Sequence, residues 1–427
     1  MFGWCGHLLR VDLSTGAIRK EALEDGAAKA HLGAGALGLH LFGAANGETI
    51  DPFSGANRVV FVTGPLTGTL APNSGQHAVV TAVPPQGRPA VASFASGFGP
   101  ELKYAGYDAI VIEGRSAEPL YLWIKDDVVE LRPAKGLWGE TVIPTLRAVR
   151  AATHPEARFC GIGPAGENAV AGAVIVDDQG IGAGLDMGAV LGAKNLKGIA
   201  VRGTRGFRVA DTHGFVEAAL AARAQVIAAP LALSGDPIDD VMLVASAATT
   251  AAPAGRAPGR PMGCVGATLS FATFTARSGA RQTMALNAEA LPGARAARLG
   301  DYRFIVDHGL AYGPTRQGLA GLGDEDAALA VKAMAAGERP AFIAPPPNAE
   351  AAPPPRHGGY AVGGYLVVPD IAPSSDDPLP AVAEAAGLCP LTGFVCDADT
   401  LARLLRTATG IPATASTILS IGGHQNA

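Results

Sequence analysis

Asp-Asp-Gln-Gly-Ile-Gly-Ala-Gly-Leu-Asp-Met-Gly-Ala-Val-Leu-Gly-Ala-Lys-Asn-Leu-Lys-Gly-Ile-Ala-Val, residues 177–201, is the stretch around which the chain is organised. A turn with Gly180, Gly182 and Gly184 opens onto Asp186, and the small residues from Met187 to Leu196 have the texture of a helix. The chain then returns through a β-type run, Gly198 to Val201. Glycines permit positive φ and close approach of backbone or ligand, and a helix start leaves N–H groups that can face an anion. Two readings follow from the residues alone: a phosphate cradle, or a tight helix–sheet packing turn that needs small residues and binds nothing.

The rest of the chain sets bounds on both. At 427 residues it is long enough for two or three domains. It is 48% hydrophobic and only 17% charged, so a large core is expected. With 56 glycines and 32 prolines it is rich in turns and unlike a single helical bundle. A net charge of −5 gives no electrostatic footprint for nucleic acid. No run of about 18 apolar residues predicts a membrane span. The start, Met1-Phe2-Gly3-Trp4-Cys5-Gly6-His7, lacks the basic-then-apolar pattern of a leader. Five unevenly spaced cysteines do not form a disulfide framework. A soluble, cytoplasmic protein is expected, with neither nucleic acid nor membrane as partner.

Working outward, His7 to Leu13 alternates like a strand and ends in the turn Ser14-Thr15-Gly16. Asp25 to Phe42 reads as one Ala/Leu helix interrupted by glycines. Strands are expected at 58–62, 77–83, 107–114, 120–125 and 169–176, and a helix at 142–152. After about residue 208 the pattern becomes alanine-rich and helical, with helices expected at 209–227, 301–310, 324–336 and 397–405. Asp397 or Asp399 is a candidate cap for the last. Two triple-proline runs mark a linker or collapsed loop near 339–356. No internal repeat is legible.

Five ordered motifs then carry a resemblance. They are Arg10-Val11-Asp12-Leu13-Ser14-Thr15-Gly16, Gly64-Pro65-Leu66-Thr67-Gly68-Thr69, the run from Phe98 to Ile110, Gly163-Pro164-Ala165-Gly166-Glu167-Asn168, and Gly188 to Lys197. In this order they resemble the N-terminal domain of the tungsten-containing aldehyde:ferredoxin oxidoreductases. The resemblance implies an α+β fold. Residues 1–205 would form a two-sheet, pterin-binding-type domain, its sheets related by a pseudo-twofold, and 206–427 an abbreviated helical region. It also implies a base for a bis-pterin tungsten or molybdenum cofactor. In that family an aldehyde is oxidised to a carboxylate at the metal, and electrons leave through one [4Fe–4S] cluster to ferredoxin.

Carried over residue by residue, the resemblance gives Gly75, Gln76, Ser93, Ser96, Gly97, Gly182, Ala183, Gly184 and Asp186 as cofactor-binding candidates. It gives Cys264 and Cys389 as metal candidates and His357, in His357-Gly358-Gly359-Tyr360, as the catalytic candidate for general acid–base work. Departures accompany the matches. Gln76 stands where the family carries Arg, Ser93 where it carries Asn, and Gly184-Leu185-Asp186 where it carries Arg-Gly-Gly. Such a charge change beside an anion is worth on the order of a few kcal/mol in a partly buried pocket. Asp186 also makes sense as a helix N-cap or a favourable charge at a helix start. Of the cluster's Cys-x-x-Cys-x-x-x-Cys, one thiol survives, in Pro261-Met262-Gly263-Cys264-Val265-Gly266-Ala267-Thr268. The downstream motif is kept as Glu384-Ala385-Ala386-Gly387-Leu388-Cys389. A [4Fe–4S] cluster takes four thiolates, so a conventional cluster is not expected. Cys5 and Cys160 are read as small hydrophobes. Val306-Asp307-His308-Gly309-Leu310-Ala311 corresponds to a second pterin-binding motif without its acidic ends.

The expectation is a degenerate family member without its own cluster, a cofactor-binding or scaffold subunit. Its partner would be a cysteine-complete paralogue or an iron–sulfur subunit, or it would form a homo-oligomer. The alternative is an active tungsten- or molybdenum-pterin oxidoreductase that passes electrons to a separate redox protein. A third reading, a pseudoenzyme pocket holding an unrelated ligand or none, also stands at this point.

Overall fold

The computed structural model describes residues 1–43, 49–178, 180, 182–228, 231–232, 271–275, 281–285, 304–311, 315, 319, 324–338, 378–388, 392–393 and 396–419. Two six-stranded mixed sheets dominate the N-terminal half, and helices follow. The elements are β1 (His7–Asp12), β2 (Ala17–Ala22), α1 (Asp25–His31), α2 (Ala34–Phe42), β3 (Val59–Thr63), β4 (Gln76–Val83), β5 (Arg88–Ala95), α3 (Phe98–Tyr104) and β6 (Ala109–Glu113). Then come β7 (Leu120–Lys125), β8 (Val128–Pro133), α4 (Val142–Ala152), β9 (Arg158–Gly161), α5 (Pro164–Glu167), β10 (Ile175–Asp177), β11 (Gly182–Ala183), α6 (Met187–Ala193) and β12 (Leu196–Arg202). Beyond these are α7 (Thr212–Ala228), a small sheet of β13 (Leu231–Ala232), β14 (Phe271–Thr275) and β15 (Arg281–Ala285), and α8 (Asp324–Ala335), α9 (Leu379–Ala386) and α10 (Ala398–Thr409).

The strands form where β-branched and aromatic residues run together, as in Val59-Val60-Phe61-Val62-Thr63, buried at every position. Sheet I has the order β2-β1-β6-β3-β4-β5, and sheet II, taken from its other edge, β8-β7-β12-β9-β10-β11. The second is the first with every index raised by six. The senses agree too: β1–β6 and β7–β12 are the parallel pairs, and the other neighbours are antiparallel. Register tightens the correspondence. Ala78 pairs with both Ser93 and Val62, and Val176 pairs with both Gly182 and Gly161. Counting along these strands matches Gln76 to Val174, Ser93 to Gly182, Gly97 to Asp186 and Gly64 to Gly163. The domain therefore contains a six-strand repeat, the pseudo-twofold that the resemblance implied although residue identities show no repeat.

Three apolar cores result. One lies between the sheets and holds Phe61, Phe94, Phe98, Phe159-adjacent Cys160, Ile162 and Ile199. A second covers the outer face of sheet I with residues of α2, α7, α9 and α10. A third covers the outer face of sheet II with residues of α4 and α8 and the segment 304–311. Buried area of this kind contributes roughly 25 cal/mol per Å².

Several local expectations need correction. The stretch 25–42 is two helices, because Leu32 takes φ 57° and Gly33 lies against Gly64, whose Cα would be 2.4 Å from a Cβ at Gly33. Of 169–176 only the end is a strand; Ala169 and Gly172 turn the chain with positive φ. Strands β2, β5, β8, β9, β11, β13, β14 and β15 add to those expected from the sequence. Of the helix expected at 301–310, residues 304–307 are helical and 308–310 are a turn and a bridge, while 301–303 lie outside the described residues. Asp397 does cap α10, accepting from the Thr400 amide at 2.7 Å.

Candidate functional site

The candidate residues gather at one end of each sheet, where β4 and β5 meet α3 and where β10 and β11 meet α6. On sheet I, β3 ends at Thr63 and the chain turns through Gly64-Pro65-Leu66-Thr67-Gly68. Thr67 Oγ1 accepts from the Gly64 amide at 2.9 Å and donates to the Gln76 carbonyl at 2.8 Å, tying the turn to the start of β4. The Gly75 carbonyl accepts from the Ser96 amide at 3.0 Å, and Ser96 Oγ accepts from the Phe98 amide at 3.2 Å. These bonds fix Gly75, Gln76, Ser96 and Gly97 as one rigid rim.

Side chains alternate across a strand, and directly paired residues share a face. Gln76, Ala78 and Ser93 therefore lie together on the outer face, toward α9. Gln76 has no exposed surface, and neither atom of its amide has a hydrogen-bond partner among the described residues. A buried amide without partners costs about 1–3 kcal/mol. Ser93 Oγ donates to the carboxyl of Glu384, which α9 brings down onto the sheet. Desolvation pushes the Glu384 carboxyl up, and the Ser93 hydroxyl opposes that shift. Ser93 is the one side-chain partner of Glu384 among the described residues. Glycine makes the docking possible: a Cβ at Gly64 would sit 2.4 Å from the Gly387 nitrogen, and the Leu66 amide donates to the Ala386 carbonyl at 2.7 Å.

On sheet II the matching junction is built the same way from different side chains. A Cβ at Gly163 would lie 2.8 Å from the Gly309 nitrogen, and the Ala165 amide donates to the His308 carbonyl at 3.0 Å. Val306 thus stands where Glu384 stands on sheet I. A Cβ at Gly182 would meet Val306 Cγ1 at 2.8 Å and Val174 Cγ2 at 3.0 Å. Gly182 and Ala183 are buried, Gly184 has φ 75°, and Leu185 is exposed. Asp186 precedes α6, yet it adopts φ 66° and its side chain makes no cap. Its carboxylate accepts from the Gly172 amide at 2.6 Å instead. Partial burial raises its pKa, and the Gly172 bond opposes that rise. The capping expectation is corrected accordingly, because a left-handed backbone turns the carboxylate away from the helix start. In α6 itself, a Cβ at Gly192 would lie 1.9 Å from the Gly166 carbonyl. Tight packing accounts for the small residues of this helix.

Cations near these rims are already committed. Lys103 Nζ donates to the carbonyls of Gly64 at 3.0 Å and Pro65 at 3.3 Å. Lys194 donates to Gly114 at 2.9 Å, and Lys197 to Glu140 at 2.7 Å and to Glu167. Arg158, which a Cβ at Gly97 would approach to 2.8 Å, pairs with Asp178 at 2.8 Å, and Arg150 shares that carboxylate at 3.1 Å. Cys264, Cys389 and His357 lie outside the described residues. Among the described residues no group of three or more His, Cys, Asp or Glu is placed to hold a metal. Cys160 is buried, as expected of a small hydrophobe, and Cys5 is partly buried with its thiol pushed up to about 12 by burial.

These groups fit one end of a pterin cofactor better than the other. A buried amide without a partner among the described residues, and a carboxyl bound to Ser93 on the same face, suit the donor- and acceptor-bearing edge of a ring. For phosphate, the described residues offer backbone amides but no uncommitted cation on either rim.

Two residues were missed as site candidates. Glu384 was legible only as part of a cysteine motif, although its acid in an otherwise apolar helix was a signal. His77 gave none. It lies between the sheets, stacked on Phe94 and tilted against Phe98 with ring centroids 5.1 Å away in each case, and neither ring nitrogen has a partner among the described residues. Burial pushes its pKa down to about 3.

Comparison with known proteins agrees with this architecture. Residues 8–203 match the family model "Aldehyde ferredoxin oxidoreductase, N-terminal domain". The tungsten-containing aldehyde ferredoxin oxidoreductase of Pyrococcus furiosus is 43% identical over 218 residues, 51% of this chain and 36% of that protein. The aliphatic sulfonate oxidoreductase WOR-like subunit of the same organism is 33% identical over 222 residues, 48% of this chain and 35% of that protein. The matched segment thus spans little more than a third of these relatives. Among solved structures, the active site complex BamBC of benzoyl coenzyme A reductase with 1,5-dienoyl-CoA shares the fold. Its TM-score is 0.70 at 18% identity, over 99% of this chain and 88% of that one. Among the described residues no helix is long and apolar enough to cross a membrane. Through residues 8–203 the chain is similar to the aldehyde ferredoxin oxidoreductase N-terminal domain.

Proposed function

We propose that the chain is a pterin-binding subunit of an oxidoreductase of this family, without an iron–sulfur cluster of its own, whose electrons pass to a separate iron–sulfur protein. The observation that carries it is the buried Gln76 amide, without a partner among the described residues, on the same face as the Ser93–Glu384 pair, polar groups for which the apolar core offers no use. The tungsten-containing and WOR-like relatives support the redox class, and the single cysteine, Cys264, left between Pro261 and Thr268 supports the missing cluster. When bound, a tungsten- or molybdenum-pterin supplies the redox centre for oxidising an aldehyde. The chain's own part is to hold and orient the ring edge and to keep water from it. The Gly64 and Gly387 contact fixes α9 on sheet I, and the rim bonds of Thr67 and Ser96 hold Gln76 in place.

Protein purified without oxygen, with and without its co-purifying partner, should contain near-stoichiometric tungsten or molybdenum and pterin. Iron should appear only with the partner. Four irons on the isolated chain, or no metal and no pterin, would overturn the reading.

A further inference from the structure

The repeat offers two equivalent ends for a ring, and they have diverged. On sheet I the equivalent trio is Gln76, Ser93 and Glu384, two hydrogen-bonding groups and a carboxyl. On sheet II the same positions hold Val174, Gly182 and Val306. Those three fill their own space: Val306 and Val174 come within 2.8 and 3.0 Å of where a Gly182 side chain would begin. The difference is not a matter of backbone, since the Gly64–Gly387 and Gly163–Gly309 docking contacts are alike. From this asymmetry we propose that the chain binds a single planar ring, at the sheet I end only, through an edge carrying an amino group beside a ring amide. Its recognition does not require a phosphate.

The chemistry of the trio selects that edge. A carboxylate accepts two parallel donors, which an amino group and an adjacent ring N–H provide. An amide such as that of Gln76 completes the pattern by donating to a carbonyl or ring nitrogen and accepting from an N–H. The sheet II trio can accept or donate nothing through its side chains. This inference rests on the pterin-binding reading above, and it narrows that reading from two rings to one.

The test uses the full chain with three probes in equilibrium dialysis and calorimetry: pterin, lumazine (the same bicycle with oxygen in place of the amino group) and pyrophosphate. Pterin should bind with a stoichiometry of one per chain. Lumazine should bind about tenfold or more weakly, the loss of one charge-assisted hydrogen bond, and pyrophosphate should neither bind nor compete. Glu384→Gln, nearly identical in shape, should weaken pterin by a similar factor and remove the preference over lumazine. Two pterins per chain, equal affinity for pterin and lumazine, or competition by pyrophosphate would overturn the proposal, and the wild-type comparison decides this even if the variant misfolds. The two readings fail separately. A host-purified chain carrying metal and two pterins sinks the single-ring inference alone. One ring bound in vitro, with no metal or pterin after purification from the host, sinks the proposed function alone.

Discussion

Sheets I and II share strand order, strand senses, register and a glycine-mediated docking contact, yet sheet I buries polar groups where sheet II buries apolar ones. Backbone hydrogen bonding and close glycine contacts define the repeat, while the side chains that fill it are free to change. The same contrast holds on the inner faces. His77 of β4 matches Ile175 of β10, so one sheet places an imidazole in the inter-sheet core where the other places an aliphatic side chain.

That inner-face difference carries the largest expected effect. His77 has an ordinary pKa of 6.5 and is pushed down to about 3 in the fold. Below pH 6.5 the unfolded chain binds a proton that the folded one refuses. Stability is therefore complete above pH 6.5 and falls as pH drops toward 3. At 1.36 kcal/mol per pH unit the loss reaches on the order of 4 kcal/mol. His77→Ile, which copies sheet II, should flatten that limb in urea melts between pH 7 and pH 4. An unchanged pH slope would show that the imidazole is not what makes the inter-sheet core acid-sensitive.

The outer faces give a smaller effect. Gly182→Ser copies Ser93 onto sheet II and should destabilise by about 1–3 kcal/mol, because Val306 and Val174 already occupy the space. Adding Val306→Ala should recover part of the loss if that contact is the cause. A serine tolerated without cost in thermal melts would mean that the sheet II end is open and the two ends more alike than they look.

Asp186 gives the smallest. Removing its bond to the Gly172 amide by Asp186→Ala should cost about 1 kcal/mol. Asp186→Asn, which keeps an acceptor and suits the left-handed backbone, should cost little. Hydrogen exchange at Gly172 checks the mechanism: faster exchange in the alanine variant is expected, and unchanged exchange would dismiss the bracing role.

Much of the fold was legible because its causes are local. Val59 to Thr63 and Ala109 to Glu113 announce strands by composition, Val142 to Ala152 a helix by periodicity, and Asp397 a cap by its side chain. The helix break at Leu32 and Gly33 was not legible, since it is imposed by Gly64 passing close by. The strands β14 and β15 lay in a stretch with little pattern. Of the repeat, the sequence keeps little beyond Gly64-Pro65 and Gly163-Pro164. Register leaves no mark on residue identity when only main-chain groups make the pairing.

The sequence by itself determined the α+β class, the likeness of the N-terminal half to a known domain through its ordered glycine and proline turns, and that one cysteine, Cys264, stands between Pro261 and Thr268. It also set a neutral amide, Gln76, at the start of β4, because residue identity is a local fact. Only the tertiary structure decided that Glu384 meets Ser93 across 291 residues of chain, that Gln76 is buried without a partner among the described residues, and that Asp186 braces Gly172 and does not cap α6. Each of those depends on which backbones can approach one another, and in this protein glycines at the docking contacts, far apart in sequence, set that approach.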